Sequence, residues 1–171
     1  MKNALRMPLL VIALIALASG LALHAAAGPP PSANRLEATF SETAASVTNR
    51  IADLQTLQLI NTGTGTVEGY GAATIVVGIT QDRSVTTCGP GSWSNAATRR
   101  IVLDGGVLVL REVSIKCPNA PAPDLNGTYE VDGLSSTGIF AGARGTGDLA
   151  VDTAAHTAKL SGQLKLAGHG D

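Results

Sequence analysis

The sequence predicts an all-β fold: a small antiparallel β-barrel, with a β-sandwich as the alternative. Three observations lead there. From Leu54 onward apolar residues recur with period two in short runs, glycine and other turn residues separate those runs, and no helical segments alternate with them.

Taken in chain order, the first element is a leader. Lys2 and Arg6 form a basic start, Met7 to Leu23 is almost wholly apolar, and Ala25-Ala26-Ala27 supplies the small residues of a cleavage site. Residues 1–27 therefore read as a secretory signal peptide, the signal helix that precedes the domain. The apolar run is shorter than the roughly twenty residues of a spanning helix and is interrupted by Ser19-Gly20, which argues against a stable membrane anchor after cleavage. No cysteine follows until Cys88, so no thiol stands at the processing site to be acylated. The expected location is secreted or periplasmic.

Gly28-Pro29-Pro30-Pro31-Ser32 cannot form helix or central strand, so residues 28–35 read as a Pro-rich linker and residues 36–171 as a single all-β domain. Val47, Ile51 and Leu54 recur at helical spacing behind a possible Ser41 cap, yet the flanking β-branched residues permit a strand; for 41–54 both remain open. Strands are expected at Leu54–Ile60, Thr66–Tyr70, Ala73–Thr80, Thr98–Asp104, Val107–Lys116, Gly127–Val131, Gly138–Ala143, Thr146–Asp152 and Thr157–Ala167. Asp104-Gly105-Gly106 reads as a tight hairpin turn. In the last strand Ala158, Leu160, Leu164 and Leu166 share one face, expected to be buried, and Thr157, Lys159, Ser161, Gln163 and Lys165 share the other. In Val107–Lys116 both faces begin apolar before Glu112, Ser114 and Lys116 turn one of them polar. That strand is expected to be central, with Arg111 on the buried face beside Val109 and Val113.

Composition narrows the function classes. Without Lys2 and Arg6, ten of the twelve basic residues remain against thirteen acidic ones, a formal charge of −3. That balance argues against a nucleic-acid binder, which would show a basic patch or stripe, and no nucleic acid is expected as a partner. Cys88 and Cys117 are the two cysteines, and in an oxidising compartment they are expected to form one disulfide.

The segment Gly127-Thr128-Tyr129-Glu130-Val131-Asp132-Gly133, followed by Ser136-Thr137-Gly138-Ile139-Phe140-Ala141-Gly142-Ala143-Arg144-Gly145-Thr146-Gly147-Asp148-Leu149, resembles the closing strands of the allene oxide cyclase and dirigent barrel superfamily. The resemblance implies an antiparallel barrel of about eight strands, with Phe140 as a plug and glycines where neighbouring backbones approach. Cyclases and dirigent proteins line a cavity with aromatics and a few acid–base groups. This chain has only two Phe, two Tyr and one Trp, and no family catalytic residue matches a position in it.

Few residues offer chemistry. His156 and His169 with two cysteines do not make a zinc site, so no metal is expected, and no cofactor motif is present. Gly63-Thr64-Gly65 and Gly145-Thr146-Gly147 lack the lysine and following helix of a phosphate loop and read as turns. Ser92 has no neighbour that would activate it. Trp93 either stacks on a ligand at a barrel mouth or covers the core beside the disulfide. A buried Arg111 requires Glu130, Asp148 or an anionic ligand as partner, and Glu68, Glu130 and Arg144 either line an opening or lie on a solvated face. The expectation is a non-enzymatic barrel that binds a small apolar or carboxylate-bearing molecule, or an envelope or extracellular interaction module. The alternatives are an isomerase or cyclase using Arg111 and Glu130 inside the barrel, and a sandwich adhesion module.

Overall fold

The structure is a computed structural model that describes residues 34–49 and 55–168. The expected signal peptide, most of the expected linker, the end of the 41–54 segment and His169 lie outside the described residues. Eight strands form one closed antiparallel barrel: β1 (Arg35–Asn49), β2 (Thr56–Val67), β3 (Gly71–Asp82), β4 (Trp93–Leu103), β5 (Gly106–Lys116), β6 (Leu125–Val131), β7 (Thr146–Asp152) and β8 (Thr157–Gln163). Each strand pairs with its neighbours in sequence, and β1 with β8 closes the ring. Closure rules out the sandwich alternative, whose two sheets would keep free edges.

Where 41–54 is described it is strand, not helix. Leu36, Ala38, Phe40 and Glu42 alternate inward along β1, and pairing to β2 on one side and β8 on the other uses its backbone groups. A bulge shifts its register between Ala44 and Ser46. The two strands expected at Leu54–Ile60 and Thr66–Tyr70 are one, β2, which runs unbroken through Gly63 and Gly65. Those glycines are not a turn but a close approach: a Cβ on Gly65 would lie 2.6 Å from Phe40 Cδ1 and 2.0 Å from the Thr39 carbonyl oxygen. Gly147 likewise lies within β7, where a Cβ would meet the Tyr129 ring at 2.6 Å. The strand expected at Gly138–Ala143 is instead a single 3-10 turn, Gly138–Phe140, inside the long β6–β7 connection.

Two features match their sequence reading closely. The Asp104-Gly105-Gly106 turn joins β4 to β5 with both glycines at positive φ, and the inward set of the last strand, Ala158, Leu160, Leu164 and Leu166, is buried. The core fills one end of the barrel. Phe140, fully buried, stacks obliquely on Tyr70 with ring centroids 5.3 Å apart and seals that end together with Leu36, Leu103, Leu108, Leu164 and Leu166. At the other end the 83–92, 117–124 and 153–156 connections surround an opening, and the Cys88–Cys117 disulfide ties two of them together.

Candidate functional site

The inward-facing rows change character along the barrel. On β5 Leu108 and Leu110 give way to Glu112, Ser114 and Lys116; on β4 Leu103 and Ile101 give way to Arg99, Ala97 and Asn95; on β1 Phe40 gives way to Glu42. Beyond this change of polarity the lumen is a cavity of about 180 Å³, open at the disulfide end. Leu59, Val77, Ile79 and Val151 form apolar wall, and Asn61, Gln81, Asn95 and Ser114 add polar groups. That volume is smaller than a pocket for a drug-sized molecule.

Three charged side chains form the cavity's inner end. Arg99 is 2% exposed, Glu42 7% and Glu112 4%. Arg99 Nη1 donates to Glu42 Oε1, Arg99 Nε donates to Glu112 Oε1, and Nη2 donates to Glu112 Oε2 at 3.2 Å. Behind the guanidinium lies the Phe40 ring, 5.5 Å from Cζ to centroid. Burial alone would pull the Arg99 pKa down, but Glu112 and Glu42 outweigh it and hold the pKa above its ordinary value. Asn61 Nδ2 donates to Glu42 Oε2 at 3.4 Å.

At the mouth, Trp93 opens β4 and lines the cavity, directly across from Lys116 of β5. The Lys116 ammonium sits 4.9 Å from the ring centroid and also donates to Asp124 and, at 2.7 Å, to Thr153 Oγ1. Partial burial would raise the Asp124 pKa, but the Lys116 ammonium and the hydroxyl and amide of Thr153 hold it well below the usual carboxylate range. Trp93 Nε1 is buried without a hydrogen-bond partner. Trp93 therefore stands at the mouth of the lumen, beside the disulfide and on the cavity wall. Ser92 is structural: its hydroxyl donates to the Gly89 carbonyl at 2.6 Å and accepts from the Cys88 amide at 3.2 Å.

Arg111 and Glu130 require correction. Both lie on the outer wall, directly across from one another on β5 and β6, and neither faces the cavity. Arg111 is 71% exposed and donates to Asp132 Oδ2 from Nε at 3.0 Å and Nη2 at 2.8 Å, so its partner is neither Glu130 nor Asp148. The Arg111 ion pair and the Ser135 hydroxyl lower the Asp132 pKa. With Leu134 and Arg144 these residues line a surface groove. The inversion on β5 has a simple cause. Its polar row faces the cavity, while Val109, on the outer row, is covered by the β6–β7 connection, where the Ser136 hydroxyl accepts from the Val109 amide at 2.9 Å.

Sequence reasoning missed Glu42, Arg99 and Glu112. The signal was available: each shares inward parity with core residues two positions away, and together they carry opposite charges. Fold and site define a closed small β-barrel with one sealed end and one end open on a partly polar cavity. No protein-family model, curated protein or solved structure matches the chain.

Proposed function

We propose that this chain is an exported, non-enzymatic barrel that holds one small molecule in the open end of its lumen. The observation that carries the reading is the cavity itself, in which aliphatic walls, side-chain amides and one indole whose N–H has no hydrogen-bond partner converge. The leader-like first 27 residues and the disulfide support a secreted or periplasmic setting. An eight-stranded barrel plugged by Phe140 agrees with what the allene oxide cyclase and dirigent resemblance implies, and that kinship is part of the proposal. The cyclase alternative loses its acid–base pair, because Arg111 and Glu130 lie outside the lumen.

The test is native mass spectrometry of the mature protein purified from its own host, beside an Ala97→Leu variant that fills the cavity from its wall. A stoichiometric adduct on the wild type that is lost in the variant supports the reading. An unliganded mass that persists after incubation with host extract turns it toward an interaction module.

A further inference from the structure

We infer that the molecule held in the lumen is a small cation of the ammonium class, not a carboxylate; this rests on the ligand-binding reading above. The charged side chains that line the cavity among the described residues are Glu42, Arg99 and Glu112. Two carboxylates against one guanidinium leave the cluster with one formal negative charge when all three are ionised, in a place where uncompensated charge is costly.

The cation in the cluster is already shared between two carboxylates. Each of the three guanidinium nitrogens of Arg99 donates to a glutamate, so a carboxylate that approaches Arg99 also approaches the two like charges of Glu42 and Glu112. Among the described residues Glu42 Oε2, by contrast, receives only the 3.4 Å contact from Asn61, and both residues line the cavity. A carboxylate oxygen can accept more than one hydrogen bond, so Glu42 retains capacity for an N–H donor. The other charged pair near the mouth, Lys116 with Asp124, is mutually neutralised and offers no free cation. An ammonium at Glu42 would return the cluster to neutrality, with its carbon body against Leu59, Val77, Ile79 and Val151.

Three probes of similar size and different charge test this: benzylammonium, benzyl alcohol and benzoate, titrated calorimetrically into the disulfide-intact protein at pH 7, with Ala97→Leu as the blocked control. The expected ranking is benzylammonium about tenfold tighter than the alcohol, with benzoate weakest. In Glu42→Gln the ratio between the first two falls to near one. The wild-type ranking carries the test if that variant does not fold. Equal binding of the three probes, abolished in Ala97→Leu, leaves the cavity reading standing and overturns the charge inference, as does benzoate binding best. Absence of any heat distinguishable from Ala97→Leu overturns both.

Discussion

The two ends of this barrel are built from the same eight strands and solve opposite problems. At the sealed end, Phe140, Leu36, Leu108 and Leu164 are completely buried and apolar, and the long β6–β7 connection folds back as a plug. At the open end the same strands point Arg99, Glu112, Ser114 and Asn95 inward. One end contributes stability by excluding water. The other places charge where water is scarce, and it holds only because the charges meet. Inward does not mean apolar in this small barrel; polarity along each inward row marks how deep the core reaches.

The largest expected effect breaks the open end. Arg99→Leu leaves Glu42 and Glu112 facing each other without their cation and should destabilise the fold by about 3–5 kcal/mol in urea unfolding; adding Glu42→Gln and Glu112→Gln should recover most of the loss. Phe140→Ala breaks the sealed end by about 3–4 kcal/mol through lost burial and a cavity, while leaving benzylammonium affinity unchanged. If that affinity falls as well, the two ends are coupled. Replacing both Cys88 and Cys117 by serine should cost about 3 kcal/mol by freeing the intervening loop in the unfolded chain, measured against the wild type without reductant.

Smaller effects sharpen the boundary between the ends. Tyr129 lies across from Glu112 on β6, and its buried hydroxyl has no hydrogen-bond partner. Tyr129→Phe should therefore be neutral or stabilise by up to about 1 kcal/mol. Burial, aided by Glu37 and Asp148, pushes the Tyr129 phenol up to about 12. The stability associated with its neutral form is present below pH 10 and lost as pH rises from 10 toward 12, and the phenylalanine variant should lack this component of alkaline unfolding. Asp124 has the opposite sign. Its folded pKa is lowered, so its contribution is present above about pH 4 and fades as pH falls further. Asp124→Asn should flatten the acid limb of a stability–pH curve.

The sequence revealed elements whose two faces have different surroundings. β8 was legible because its inward row meets core and its outward row meets water, and Asp104-Gly105-Gly106 because its turn needs positive φ. The disulfide was legible from cysteine count and compartment. β5 was not: a lumen that is polar at one end, and a valine covered on the outside, give both faces the same mixed pattern, so Arg111 was assigned to the wrong one. Gly63 and Gly65 misled because a close approach and a turn demand the same residue. The charge cluster was readable only as a set. Arg99, Glu42 and Glu112 are spread over three strands, and each alone looks like a surface residue until the register puts them together.

The β1–β8 seam bears on how the chain comes to be made. Seven of the eight strand pairings join sequence neighbours and can zip locally, whereas the seam links residues such as Glu37 and Ser161, 124 positions apart. A ribosome delivers β1 first and β8 last. Until β8 emerges, β1 has an unsatisfied edge, and the earliest of the eight strands depends on the latest for its last row of hydrogen bonds.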